Sequence, residues 1–326
     1  MNIVVTGATG FAGGWILREL TNHYGNEAVT GTGRNEERVK ELRSEGFQMI
    51  QGDLRDERFV ATRLEGFTHV VHCAAKSSIW GPYQEFFSHN VLATRNVLGH
   101  ISSMEKLVHL STPSIYFNFK NRFDLREDAE LPGKFVNNYT TTKFQAEQEI
   151  LNTQNEGLTT IILRPRAILG AGDTVILPRV IRAYDSGRLK IIGDGKTIAD
   201  FTSARNLAHA VHLALEAEPS LNGEVFNITD GQPLEFWPLL VETIQKLGHD
   251  QELGKVPYGL VYLLAAMNEL SSRVLKKSEP ALTRYGVGIM KYSLTMNIDK
   301  AIKLLHYKPV VTTIQSLDEF INWYQN

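Results

Sequence analysis

Cysteine is almost missing from this chain of 326 residues. The single one, Cys73, excludes an intrachain disulfide and a zinc site built on several thiolates, and makes a reducing cytoplasmic location the simplest expectation. Long hydrophobic runs are missing as well. The most apolar late window, residues 256–267 (VPYGLVYLLAAM), is about a dozen residues, short of the roughly twenty needed to cross a bilayer, and reads as a buried or lid helix. Neither charge sign is in excess: 34 Lys and Arg against 36 Asp and Glu leave a net charge of -2, which provides no global attraction to nucleic acid or anionic lipid. The pair Lys276-Lys277 is too short a basic run to supply a local one. The opening MNIVVTG carries no basic, apolar and small-residue leader pattern and reads at once as a core strand, so no export signal is expected. His209 and His212 share a helix face without carboxylate or thiolate neighbours in sequence, and no metal is expected.

What is present is an ordinary globular composition, 43% hydrophobic and 21% charged, arranged in a regular alternation. Short β-branched runs at 2–6, 28–32, 47–50, 69–73, 106–110 and 159–163 read as strands, separated by helix-period stretches, notably 10–21, 86–101 and 136–153. Strand followed by helix, repeated, predicts an α/β protein with a doubly wound parallel sheet, a Rossmann core. A helix-like stretch at 204–216 followed by a strand at 224–228 returns the chain to that core. The expected division is therefore a core of 1–168 completed by 200–229, with 169–199 and 230–326 forming a smaller, interleaved, mainly helical substrate lobe.

The first strand runs into Thr6-Gly7-Ala8-Thr9-Gly10-Phe11-Ala12-Gly13. Glycines spaced by three between a strand and a helix allow a tight turn and the close approach of a pyrophosphate to free backbone N–H groups at the helix's positive end. About twenty residues on, where an acidic side chain would grip a ribose 2′-hydroxyl, the second strand ends at Arg34, whose guanidinium suits a 2′-phosphate. NADP is accordingly favoured over NAD, with Glu36 and Glu37 as the residues that would reverse the choice. Asp53 and Leu54 follow the third strand, where Asp53 reads equally as an adenine contact or a turn residue.

Tyr-x-x-x-Lys puts a phenol and an ammonium one turn apart on one helix face, and it occurs twice. Tyr116/Lys120 lies in a poor helix former; Tyr139/Lys143 opens a regular amphipathic stretch and alone keeps the geometry. Ser111 and Thr112 stand at the carboxyl end of the fifth strand, where open parallel sheets place ligands. Cys73 reads as a small core residue.

In this order, the glycine loop, Thr112 and Tyr139/Lys143 resemble the extended short-chain dehydrogenase/reductase family of NAD-dependent epimerases and dehydratases. Within it they look like the 3β-hydroxysteroid dehydrogenase-like branch, which includes bacterial 2-alkyl-3-oxoalkanoate reductases. The supporting strings are Ala74-Ala75-Lys76-Ser-Ser-Ile-Trp80-Gly81, Asn90-Val-Leu-Ala-Thr-Arg-Asn-Val, Ser111-Thr112-Pro113-Ser114, Leu163-Arg164-Pro165-Arg166 and Gly187-Arg-Leu-Lys-Ile-Ile-Gly-Asp-Gly195. The resemblance implies hydride transfer at a carbonyl or carbinol carbon. Tyr139 is then the acid/base, Lys143 holds the nicotinamide ribose, and Thr112, aided by Ser111, holds the substrate oxygen. It also implies Gly7, Gly10, Phe11, Ala12 and Gly13 under the diphosphate, Arg34 at the 2′-phosphate, Asp53 and Leu54 at adenine, Ala74 and Ala75 along the cofactor, and Pro165 at the carboxamide. A homodimer formed through the Phe86 and Tyr139 helices follows from the resemblance too.

For the substrate, the residue before Asp200-Phe201 is Ala199, where nucleotide-sugar enzymes of the family carry an Arg; this favours a 3-oxo or 3-hydroxy group on a hydrophobic ketone or alcohol, a β-keto acid or a steroid-like molecule. The Trp80 loop is implied to lie beside the site. Arg166 reads either as a carboxylate contact or as half of a structural salt bridge. Nucleotide-sugar epimerisation or dehydration, and a non-catalytic NADP-binding redox sensor, are the competing expectations.

Overall fold

The computed structural model describes residues 1–153, 157–249, 252–275 and 279–326; the Lys276-Lys277 pair lies outside the described residues. Seven strands form one parallel sheet: β1 (Ile3–Thr6), β2 (Val29–Gly33), β3 (Gln48–Gln51), β4 (His69–His72), β5 (Lys106–Leu110), β6 (Thr159–Pro165) and β7 (Glu224–Ile228). Their spatial order is 3-2-1-4-5-6-7, so the chain reverses direction across the sheet between β1 and β4. The expected core strands are all present. β6 runs two residues further than expected because Arg164 and Pro165 pair with Asn227 and Ile228 of β7.

Strands buried on both faces should read as continuous apolar runs whose residues alternate between two cores, and they do. Ile3, Val5, Val71, Val108, Ile161 and Leu163 point toward the first helix (Phe11–Tyr24) and the helix Ala204–Glu216, meeting Ile16, Leu17, Leu20, Leu207 and Val211. Their neighbours Val4, Val70, Leu107 and Ile162 point the other way, onto Val97, Ile101 and Ile150. The first helix outruns its expected end by three residues and stops at Gly25, whose φ of 84° is open to glycine. On the opposite face, Tyr83–Phe86, Phe87–Leu92 and Ala93–His100 form one unbroken helix whose middle segment is π-helical.

A second layer is built around four short strands in the order Leu234–Glu235, Ile198–Ala199, Leu294–Met296 and Arg122–Leu125. It carries the helices Leu177–Asp185, Phe236–Lys246, Tyr258–Val274 and Arg284–Lys291. The chain crosses between the layers more often than its length suggests. Arg122–Leu125 leaves the first half to join this small sheet, while Ile298, Ala301, Leu305 and Tyr307 pack into the apolar cluster of the main sheet. The 256–267 window is not a buried helix. Ala265 is buried and Val261 packs inward, but Leu260, Leu263, Leu264 and Met267 are exposed, because the small residues of Tyr258–Val274 take the inner face and its leucines the outer one.

Under the carboxyl end of β6, Arg164 forms a buried bidentate pair with Glu147 of the helix Asn138–Leu151, at 3.0 and 2.6 Å, and also donates to the Tyr116 hydroxyl. Removing the carboxylate charge leaves a guanidinium in a dry site. Glu147→Gln should lower the unfolding free energy by about 3 kcal/mol, whereas the joint Glu147→Leu, Arg164→Met change should cost less, as urea denaturation of both variants would show.

Candidate active site

Open parallel sheets bind ligands at the carboxyl ends of strands, where the strand order reverses. Between β1 and β4 the chain forms a cavity of about 490 Å³. Its floor is the Gly7–Gly13 loop. Gly7 sits at φ 72°, and a Cβ there would come within 2.8 Å of Ala74; a Cβ on Gly13 would come within 2.3 Å of the Gly7 carbonyl oxygen. Only glycine allows the loop to fold this tightly. Gly10 caps the first helix without any side-chain hydrogen bond, and no acidic residue stands in its first turn. The opening amides of a 14-residue helix therefore face the cavity uncapped, a fit for a diphosphate.

Beyond the loop, the wall takes in Arg34, Asp53, Leu54, Ala74, Ala75, Ser111, Thr112, Tyr139, Lys143, Pro165 and Arg166, together with Gly7, Gly10, Phe11, Ala12 and Gly13. Among the expected site residues, Trp80 is not part of this wall. Its ring instead lies under the Arg273 guanidinium, 5.4 Å away, while Ser77 and Ile79 of the same loop reach the cavity. Ala199 is buried in the small sheet beside Leu294.

At the adenosine end, Asp53 is held by Arg55 through its backbone and side chain, at 2.6 Å for the closest pair, and Arg34 stands 3.7 Å from the same carboxylate. Although burial alone would raise it, the Arg55 hydrogen bonds and the two guanidinium charges hold Asp53 at about 2. Arg34 also bonds to His89 Nε2 at 2.7 Å and keeps an exposed guanidinium.

The helix Asn138–Leu151 presents Tyr139 and Lys143 on one face. It opens with three threonines, poor helix interior residues, but Asn137 caps Thr140 N at 2.8 Å and the Thr141 and Thr142 hydroxyls bond back to the carbonyls of Asn137 and Asn138. Lys143 is 2% exposed; its Nζ donates to the Leu110 carbonyl at 2.5 Å and meets His109 Nε2 at 3.1 Å. Desolvation pushes it down to about 8, so it still carries its proton near neutrality. Enclosure pushes the Tyr139 phenol up to about 12, against the opposing pull of its hydrogen bond with Thr112. Thr112 in turn caps the turn Pro113–Tyr116, accepting from Ser114 N at 3.2 Å, and the Ser111 hydroxyl beside it is buried with no hydrogen-bond partner among the described residues. The other Tyr-x-x-x-Lys pair fails as a helical pair: Tyr116 is buried in that short turn and turned toward Arg164.

Three contributors were not anticipated. Tyr285 reaches the cavity from the helix Arg284–Lys291, bonded to the Ser114 hydroxyl at 2.9 Å, and no motif announces it. His109 and His72 form a buried layer under the site, rings 5.2 Å apart; polar residues inside otherwise apolar strands were the available signal. His72 bridges Thr6 at 2.9 Å and Thr94 at 3.0 Å. Cys73, also on the wall, has its thiol pushed up to about 12 by burial, consistent with an inert packing role. Among the described residues no group of three His, Cys, Asp or Glu could hold a metal ion, and no helix is long and apolar enough to cross a membrane.

A parallel sheet in this order, with a glycine-cradled helix end and a Tyr/Lys helix at its switch point, is the architecture of extended short-chain dehydrogenases/reductases. The profile of the "NAD dependent epimerase/dehydratase family" matches residues 3–229, and the chain belongs to that family of enzymes. It is 31% identical over 322 residues to the 4-hydroxy-2-methyl-3-oxo-4-farnesyl-3,4-dihydroquinoline-1-oxide ketoreductase of Stigmatella aurantiaca, covering 98% of this chain and 95% of that one. To the 2-alkyl-3-oxoalkanoate reductase of Stenotrophomonas maltophilia it is 32% identical over 293 residues, covering 87% and 88%. The crystal structure of gox2253 superposes with a TM-score of 0.79 at 24% identity, covering 99% and 98%, a likeness of fold.

Burial and the Lys143 charge push His72 down to about 3, from an ordinary 6.5. Between those values the unfolded chain takes up a proton that the native one refuses, so His72 costs stability as pH falls below 6.5. The stability advantage of the wild type over His72→Gln should shrink by about 2 kcal/mol between pH 7 and pH 5, measured by urea unfolding.

Proposed function

We propose that this protein is an NADP-preferring oxidoreductase that exchanges a hydride with a 3-oxo or 3-hydroxy group on a hydrophobic substrate. The observation that carries it is the convergence of Tyr139, Thr112 and Lys143 on the cavity that the uncapped helix end opens into. A bound nicotinamide cofactor would supply the hydride in reduction and accept it in oxidation. The chain's own part is proton handling and placement. Tyr139, protonated well past neutrality in the protein alone, is the donor a reduced carbonyl oxygen needs, with Thr112 turning its single hydroxyl proton from the phenol to that oxygen as charge develops. Lys143, anchored on Leu110, would hold the ribose and, by its charge, ease the loss of the Tyr139 proton. The Gly7–Gly13 amides would take the diphosphate and Arg34 the 2′-phosphate.

The apolar wall residues Ile79, Ile176 and Ile289, and relatives named as a ketoreductase and a 3-oxoalkanoate reductase, support an oxo group on a largely hydrocarbon skeleton. Ala199, packed in the small sheet, supplies no cation for a nucleotide-sugar diphosphate.

Tyr139→Phe should reduce hydride transfer by 10²-fold or more while NADPH binding, followed by fluorescence, stays within a few fold; undiminished turnover would remove Tyr139 from the reaction. Arg34→Asp should move the kcat/KM preference from NADPH toward NADH by at least tenfold, and an unchanged ratio would show that Arg34 does not read the phosphate.

A further inference from the structure

The side chain that holds Arg34 in place is one that no motif singles out. His89 belongs to the π-helical segment Phe87–Leu92 and lines the cavity together with Arg34, Asp53 and Arg55. Two bonds fix its ring. Nδ1 is 2.8 Å from the Glu85 carbonyl oxygen, and Nε2 is 2.7 Å from a terminal nitrogen of the Arg34 guanidinium. A carbonyl can only accept and a guanidinium can only donate, so the imidazole carries its proton on Nδ1 and offers a lone pair at Nε2. His89 is thus a neutral ring in direct contact with a permanent, exposed cation.

An anion at this rim would reverse that balance. The charged groups facing the ring are Arg34 from the end of β2, Asp53 and Arg55 from the segment after β3, and Glu85 one turn back on its own helix. Glu85 is paired with Lys76 at 2.7 Å and Asp53 with Arg55 at 2.6 Å, so each carboxylate already has its own cation. Arg34, 3.7 Å from Asp53, is the charge left over. Partial burial, with the Arg34 and Arg55 charges, holds His89 below the usual histidine range despite the bond to the Glu85 carbonyl. A phosphate monoester brings nearly two negative charges above about pH 6, and three acceptor oxygens. Seated on the Arg34 fork, it would supply the guanidinium with acceptors better than an imidazole and turn the field at Nε2 in favour of a proton.

We infer that His89 is the second arm of the 2′-phosphate site: when the phosphorylated cofactor binds, Nε2 takes a proton from solvent, releases Arg34 and donates to the phosphate. No covalent bond of the cofactor is made or broken. NAD, with a hydroxyl at that carbon, brings no charge and leaves His89 neutral on Arg34. The inference rests on the reading of Arg34 as the 2′-phosphate contact and adds a pH dependence to it. A group that gains a proton on binding makes binding weaken as pH rises, so NADP is favoured most on the acidic side of neutrality, down to about pH 6 where the phosphate itself takes up a proton.

Calorimetric titration of the full chain with NADPH and with NADH, at neutral pH in two buffers of different ionisation enthalpy, counts the protons without any turnover. The wild type should take up about 0.3 proton or more per NADPH and none per NADH, and the NADPH Kd should rise about threefold or more between pH 6.5 and pH 8 while the NADH Kd stays level. His89→Gln keeps an acceptor for Arg34 but cannot be charged; its uptake should vanish, and its NADPH affinity should fall below that of the wild type at pH 6.5 and lose its pH dependence. NADPH binding by the wild type with no proton uptake would overturn the inference whether or not the variant folds, and so would an uptake that survives in His89→Gln. The two readings separate cleanly. If NADPH is preferred but takes up no proton, only the part assigned to His89 falls; if NADPH and NADH bind equally at every pH and neither takes up a proton, the NADP preference falls with it.

Discussion

An ammonium ion placed beneath the ends of the parallel strands is the constraint on which the site depends. Lys143 is removed from water and held by the Leu110 carbonyl and the His109 ring. Desolvating a charge on this scale costs several kcal/mol, so its partners must be fixed before the helix Asn138–Leu151 can dock. That requirement propagates outward. His109 accepts from the ammonium only as a neutral ring, and burial beside Lys143 and His72 keeps its pKa well below the usual range. Thr142, next to Lys143, receives Asn90 Nδ2 at 2.9 Å, and Asn90 Oδ1 accepts from Lys76 N at 2.7 Å, which fixes the loop after β4. Asn90 lies in the π-helical segment Phe87–Leu92, whose extra residue per turn re-aims side chains where an α-helix would not; such segments cluster at functional sites.

The second anchor of the same helix is the Glu147–Arg164 pair one turn beyond Lys143, which locks it to β6. Lys143 ties to β5 and Glu147 to β6, so Tyr139, at the free end of the helix, is placed by two neighbouring strands of the sheet rather than by its own contacts. A side chain that must meet a reacting atom to within about half an ångström is best carried on such a rigid element, and loops alone would not hold it.

How much of this was legible in the sequence follows from the range of the interactions concerned. The glycine loop and Tyr139/Lys143 are local patterns whose spacing is itself the geometry, so they could be read directly, and the strand alternation fixed the sheet to within two residues at each end. Thr112 depended on counting to a strand terminus. Tyr285 was invisible because it comes from a helix more than 170 residues from its partner Ser114, with nothing in its neighbourhood to set it apart. The Trp80 ring was hard to place for a related reason: its loop reaches the cavity, as expected, while the ring lies under Arg273, a distant residue that loop-level reasoning does not see. Which of the two arginines forms a structural salt bridge also could not be read from sequence, since Arg164 and Arg166 look alike there; Glu147 reaches Arg164, and Arg166 makes no ion pair among the described residues.

The electrostatics of the cavity follow from the same difference between paired and unpaired charge. A chain with a net charge of -2 brings four permanent or nearly permanent cations, Arg34, Arg55, Lys143 and Arg166, to the wall of one cavity, against the carboxylates of Asp53 and Asp173. Those carboxylates are already engaged by the protein: Asp53 by Arg55, and Asp173 by the backbone amides of Val175, Ile176 and Leu177 at 2.7 to 3.1 Å. Two of the cations are paired or solvated where they stand, Arg55 on Asp53 and Arg34 at the exposed rim, and Lys143 is satisfied by a carbonyl and a ring. Arg166 alone among them is buried with a guanidinium nitrogen, Nε, that has no hydrogen-bond partner among the described residues. The positive potential is therefore split between an open adenosine end, where salt screens it, and a closed end beside Tyr139, where it is not screened.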